Sequence, residues 1–244
     1  MQLLIDNSNT RTKFALADGE TLSDWRVVVP TAELSPDSID QALDGATFTH
    51  ATICSVVPDA AELLASRLGD TPVHRISHQS DLPISIDYPN PAQIGADRLA
   101  NSVAAANLHG SPAIVIDFGT AVTFDVITPS GAYCGGAIAP GTASLRDYLH
   151  RRTALLPSIQ LEEPSSAIGK STEEAMQIGA VIGYRGLIRE ILREMQTELG
   201  GEPHIIATGG DAHLISSGLE EIRTLSPDLT LHGIRLIGQR NHDF

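Results

Sequence analysis

Basic residues are scarce in this 244-residue chain: 16 Lys and Arg stand against 30 Asp and Glu, a formal charge of −14. A field of that sign repels phosphate backbones and anionic lipid, which argues against a general nucleic-acid or membrane-surface binder. Small anionic ligands stay admissible, because a few cations and local backbone dipoles can override the global sign at one site. Cysteine is nearly absent. Cys54 and Cys134 are too few and too far apart for a disulfide framework or a zinc cluster. Aromatic residues make up 4% of the chain and form no stacking platform. No apolar run approaches a transmembrane length, and MQLLIDNSNT lacks the basic region and long apolar stretch of a signal peptide, so a cytoplasmic protein is expected. Common catalytic signatures are missing too: there is no H-E-x-x-H, no G-x-S-x-G and no complete G-x-G-x-x-G after a strand. The string AIGKST (167–172) falls short of a Walker A motif, because Pro164 stands where the first glycine belongs.

What is present is enough apolar material, 42% of residues, for a large core or two smaller ones. Short β-branched runs alternate with helical spacing, which predicts an α/β layered fold. Strands are expected at LLID (3–6), TKFALA (12–17), WRVVV (25–29), HATICSVV (50–57), AIVIDF (113–118), TAVTFDVIT (120–128), GAYCGGAIA (131–139) and HIIAT (204–208). Helices are expected at 35–43, 58–68, about 92–109, 142–152 and 172–198, and after TGGD (208–211). The last apolar stretch, LTLHGIRLI, reads as a strand closing a sheet.

Two segments share one layout: LLIDNSNTRTKFAL and IVIDFGTAVTFDVI. Each is an apolar strand ending in Asp, a tight polar turn and a second strand. Asp6 matches Asp117, Ser8 matches Gly119, Thr10 matches Ala121 and Lys13 matches Phe124. An ordinary hairpin would explain one such turn. Two of them, each able to open its own half of the chain, predict a duplicated, two-lobed protein with a central cleft.

The chemistry of these turns points to phosphate. Ser, Asn, Thr and Gly in a hairpin turn gather backbone N–H groups and hydroxyls that can cradle phosphate oxygens. An Asp at the strand end can hold a cation against the same phosphates, and Lys13 can supply an ammonium. A second constellation is YPNPAQIGADRLAN (88–101), in which Asn90 and Pro91 can open a helix. Asp97 and Arg98 follow the small residues Gly95 and Ala96. Adjacent helical residues face different ways, so the carboxylate could accept a hydroxyl proton while the guanidinium clamps an anion. A solvated Asp and Arg on an exposed face would read the same.

Taken together, DNSNTRTK (6–13), YPNP…GADR (88–98), DFGTAVT (117–123), GGAIAPG (135–141), GKST (169–172) and TGG (208–210) occur in an order that resembles type III pantothenate kinases. The resemblance spans most of the chain. It implies a duplicated ribonuclease-H-like (actin-like ATPase) fold, with residues 1–110 as one lobe and 111–244 as the other, usually assembled as a homodimer. It also implies ATP-dependent phosphorylation of the primary hydroxyl of pantothenate, the first step to coenzyme A. Carried across, Asp6, Asn7, Ser8, Asn9, Thr10, Arg11, Thr12 and Lys13 would bind ATP with Thr120, and Asp6 would stand beside the Mg²⁺ of the nucleotide. Asp97 would be the catalytic base. Tyr88, Gly95, Ala96, Asp97, Arg98 and Thr172 would hold pantothenate, and Asp117 the monovalent cation, K⁺ or NH₄⁺. Ser8 stands where the family usually has Gly, and a serine suits a phosphate turn only at negative φ. Another small-molecule kinase of the same fold, or a non-catalytic regulator built on it, would share the scaffold.

Overall fold

A computed structural model describes residues 1–242, the side chain of Leu145 excepted. The chain divides into two compact units. The first holds residues 1–110, 131–134 and 228–242, and the second holds 111–130 and 135–227.

The first unit opens with β1 (Gln2–Asn7), β2 (Arg11–Asp18) and β3 (Thr21–Pro30). They are followed by α1 (Pro36–Leu43), β4 (His50–Ser55), α2 (Pro58–Arg67), β5 (Val73–Arg75), a short β6 (Ser85–Ile86) and α3 (Ala96–His109). The sheet order is β3-β2-β1-β4-β5, with β1 antiparallel to β2 and parallel to β4. As the central strand, β1 is covered on both faces, which is why it reads as an unbroken apolar run. Leu3 and Ile5 meet Phe14, Ile39 and Leu64 on the side of α1 and α2. Leu4 points the other way, into a layer with Leu99, Val103 and Ile234.

The second unit repeats the plan. β7 (Ala113–Phe118), β8 (Ala121–Ile127) and β9 (Ala132–Pro140) lead to α4 (Thr142–Arg152), α5 (Thr172–Ile178) and α6 (Tyr184–Leu199). Then come β10 (His204–Gly209), α7 (Ala212–Ser216) and β11 (Thr224–Leu225). Its sheet order, β6-β9-β8-β7-β10-β11, is the first sheet's order again with β6 added at one edge. Residues at the start of β9 belong to the first unit, where Ala132 and Tyr133 pair with β6. The duplication read from two short strings is therefore a duplication of the whole sheet topology.

Several expectations change. LTLHGIRLI is not a strand but most of α8 (Leu229–Asn241), which belongs to the first unit and packs on α3. A side chain at Gly233 would collide with the Ala100 carbonyl, so glycine lets the two helices approach. The continuous boundary at 110/111 is thus crossed by the last helix, whose apolar residues find their layer in the first unit. The helix expected from about 92 begins at Ala96, after a single 3₁₀ turn at Pro91–Gln93. The helix expected over 172–198 is α5 and α6 joined by a π turn at Gly179–Gly183. In the first hairpin Asp6 lies opposite Lys13, whereas in the second Asp117 lies opposite Thr123. The second turn is one residue shorter, so Thr123, not Phe124, is the counterpart of Lys13.

Candidate active site

The first turn is shaped from within. Asn7 and Thr12 are buried, and the Asn7 amide donates to the Thr12 hydroxyl at 2.7 Å while Ser55 donates to the Asn7 carbonyl oxygen at 2.5 Å. Thr31 donates to the Ser8 carbonyl at 2.7 Å and lies 3.1 Å from the Thr12 hydroxyl. Both the amide and the hydroxyl of Ser8 reach the Arg11 carbonyl at 3.0 Å. Among the described residues only glycines have positive φ, so Ser8 meets the condition for a serine in this turn. The buried pair fixes the turn, leaving Asn9, Thr10 and Arg11 exposed. Ser55 and Thr31 take part with no sequence signal of their own, since single hydroxyls on distant strands carry no motif.

Charge is arranged at the strand ends. Lys13 Nζ lies 3.1 Å from the nearly buried Asp6 carboxylate. Asp97 sits in the first turn of α3, where its Oδ1 accepts the Arg98 backbone N–H at 2.8 Å. Burial pushes the Asp97 carboxyl above its usual range, the Arg98 N–H opposes that, and the negative charge of Asp6 adds to the rise. A Cβ at Gly95 would come within 2.5 Å of Asp97 Oδ1, so glycine leaves room for the carboxylate. Arg98 turns away, placing its guanidinium 5.7 Å from the centre of the Tyr133 ring, and Tyr88 stands 6.0 Å from the same ring. Asp6, Lys13, Tyr88 and residues 95–98 thus all belong to the first unit, and Tyr133 joins them. Tyr133 lies in GAYCGGAIA (131–139), which the sequence marks as a strand and not as part of a site.

The second unit carries Asp117, Thr120 and Thr172. Asp117 ends β7 opposite Thr123 and beside Thr208. A Cβ at Gly209 would lie 2.6 Å from Asp117 Oδ1 and from the Phe118 nitrogen and oxygen, so glycine lets the end of β10 pass close beside the carboxylate. Thr120 is exposed on the turn, and its carbonyl accepts the Gly141 N–H at 3.2 Å and the Ser144 hydroxyl at 3.2 Å. The Gly-rich strings close around this turn. Buried Thr142 donates to Asp211, whose own N–H reaches the Phe118 carbonyl at 3.4 Å. Tyr184 donates to the Pro140 carbonyl at 3.0 Å, and burial, with the charge of Asp211, holds its hydroxyl protonated well above the usual range. Thr142, Asp211 and Tyr184 are neighbours that the sequence did not single out. Thr172 lies elsewhere in this unit, lining a cavity of about 560 Å³ with Leu149, Leu156, Ile159, Met176 and Arg146. Ser171 caps α5 by accepting the Glu174 N–H at 3.1 Å, and no strand leads into GKST, so a P-loop is absent.

Among the described residues, no three His, Cys, Asp or Glu side chains group as metal ligands. Asp6 and Asp117 each offer a single carboxylate. A divalent ion there would take most of its ligands from phosphate and water, the habit of Mg²⁺. The Asp117 carboxylate and the oxygens of the adjoining turn are the donor type that a weakly charged, oxygen-seeking cation would take.

A family model for type III pantothenate kinases matches residues 2–194. The chain belongs to that family. A type III pantothenate kinase from Akkermansia muciniphila is 56% identical over 98% of this chain and 98% of its own. Among solved structures, one described as a conserved Baf family transcriptional activator from Campylobacter jejuni has a TM-score of 0.66 at 20% identity, covering 98% of each chain. The inorganic polyphosphate/ATP-glucomannokinase of Arthrobacter sp. strain KM has a TM-score of 0.51 at 18% identity, covering 98% of this chain and 99% of its own. At such identities the likeness carries the fold alone: the duplicated α/β fold of actin-like ATPases and sugar kinases. Among the described residues no helix is long and apolar enough to cross a membrane.

Proposed function

We propose that this protein transfers the γ-phosphoryl group of ATP to the primary hydroxyl of pantothenate, giving 4′-phosphopantothenate, the first step of coenzyme A synthesis. The observation that carries this reading is Asp97, a carboxylate made more basic by burial and by Asp6, on a helix start that also presents Arg98. The hydroxyl proton passes to Asp97 as the acceptor oxygen bonds to the γ-phosphorus. The bond from that phosphorus to the bridging oxygen breaks and ADP leaves. Positioning and charge stabilisation do most of the work in such a transfer.

The proposed roles are these. Residues 6–13 and Thr120 bind ATP, with Ser8, Asn9, Thr10 and Arg11 facing the phosphates, Asn7 and Thr12 setting the turn's shape, and Lys13 adding positive charge. Asp6 would stand beside Mg²⁺ brought in with the nucleotide, which would neutralise phosphate charge. Tyr88, Gly95, Ala96, Arg98 and Thr172 hold pantothenate, Arg98 through its carboxylate, a match of guanidinium to a planar anion. Asp117 would hold K⁺ or NH₄⁺, which would supply positive charge against the negative phosphates. The reading extends to a homodimer in the cytoplasm; exposed apolar residues such as Tyr148 and Leu155 support the dimer alone.

ATP consumption with pantothenate, acetate and sugars as acceptors, with and without K⁺ or NH₄⁺, tests the proposal. It expects turnover with pantothenate alone and stimulation by the cation. Turnover with a sugar and none with pantothenate would point to another kinase of this fold, and no turnover at all to a regulator.

A further inference from the structure

Between α4 and α5, residues 153–171 form no helix or strand, so no backbone ladder holds them. This loop nevertheless supplies Leu156 and the buried Ile159 to the cavity that Thr172 lines. Two consecutive residues fasten its middle. The Glu162 carbonyl accepts the Gln177 side-chain amide at 3.2 Å, and Glu163 receives both arms of the Arg185 guanidinium at 2.7 and 2.5 Å.

Arg185 is itself anchored deep in the second unit. Its side chain is only 9% exposed, and it also donates to the Ile215 carbonyl at 3.0 Å, the Leu214 carbonyl at 2.6 Å and the Ser217 hydroxyl at 3.0 Å. Those carbonyls end α7, where a helix lacks internal donors. A Cβ at Gly218 would lie 2.5 Å from the guanidinium carbon, so glycine makes the seat for it. The guanidinium therefore has a fixed orientation before it meets the loop. A bidentate pair transmits that orientation, which a lone ammonium would not.

We infer that Arg185 and Glu163 form a strap that holds the cavity loop in place, making Arg185 a positioning residue for the organic substrate. The inference rests on the assignment of Thr172 to pantothenate binding. Its chemistry is preorganisation: a loop already ordered costs less to order on binding.

Glu163→Gln tests it with the least disturbance. Glu163 is 57% exposed, so the amide leaves no buried hole, and Arg185 keeps its bonds to α7. The expected outcome is faster amide exchange across residues 156–172, an unchanged Tm, and a KM for pantothenate raised about 2- to 10-fold. The KM for ATP and kcat stay at wild-type values, the pattern of lost uniform binding. Arg185→Lys should raise the same KM and also lower Tm, because it loses the carbonyl contacts as well. A Glu163→Gln enzyme with wild-type KM for pantothenate, or with wild-type exchange in the loop, overturns the strap. Failure of the wild-type protein to phosphorylate pantothenate overturns the underlying assignment and the strap with it.

Discussion

Substituting Gly209 by Ala probes the turn around Asp117 from a single atom. Gly209 ends β10 with φ of +94°, a conformation that disfavours any side chain. The added Cβ would also lie 2.6 Å from Asp117 Oδ1 and from the Phe118 nitrogen and oxygen. Two of these three atoms are backbone in the central strand of a sheet, so they cannot swing aside. Backbone strain costs about 1–3 kcal/mol, and crowding of a packed site adds about 1–3 kcal/mol. At about 2–4 °C per kcal/mol for a protein of this size, Tm should fall by roughly 5–20 °C. Gly210→Ala is the internal control, since a Cβ there meets nothing within 4 Å. Its effect should stay within about 0.5 kcal/mol. Calorimetry of both variants beside wild type reads the difference directly, and the K⁺ concentration for half-maximal activity should rise in Gly209→Ala alone. Equal melting temperatures for the two variants would refute the reasoning.

Lys13→Met leaves the Asp6 carboxylate without its ammonium and should raise the KM for ATP about 10- to 100-fold, the scale of a charged hydrogen bond. Steady-state kinetics with ATP varied would contradict the role of Lys13 if that KM stayed at the wild-type value. Asp97 has a raised pKa, so as pH falls it gains its proton earlier than an ordinary aspartate and can no longer accept one from the hydroxyl. The acid limb of the kcat/KM profile should therefore lie above the usual aspartate range, and a limb at or below it would count against Asp97 as the base.

Much of the scaffold is legible because both central strands end in Asp after an unbroken apolar run, a pattern that only a doubly covered strand demands. Ser35 before α1 and Pro58 at the start of α2 are local signals and mark their helices correctly. α8 escaped because Leu229, Leu231, Ile234 and Ile237 are buried around most of its circumference, which erases the amphipathic period. Gly233 and Gly238 there mark close contacts, with Ala100 and with Gln2 and Thr52. Residues 6–13 and 95–98 are candidates the sequence offers because each is a contiguous string. Ser55, Thr31 and Tyr133 in the first unit, and Thr142 and Asp211 in the second, belong to no such string, and each reaches its neighbours only through the fold of its own unit. Arg185 carries no sequence signal, because its partners on α7 lie about thirty residues away and only the fold brings them to it.

The central claim is that Asp97 accepts the pantothenate hydroxyl proton, and kcat of Asp97→Asn tests it most directly. Asparagine keeps the shape and can still accept the Arg98 N–H, but it cannot take a proton. The folded-state pKa of Asp97 is raised, so its ionisation opposes folding, a cost that builds as pH rises through the ordinary aspartate range and is complete above the folded-state value. Removing the charge should leave stability at neutral pH equal to or above wild type. The account predicts a folded variant with kcat for pantothenate phosphorylation down about 10²–10⁴-fold. A folded Asp97→Asn protein turning over at the wild-type rate would contradict it.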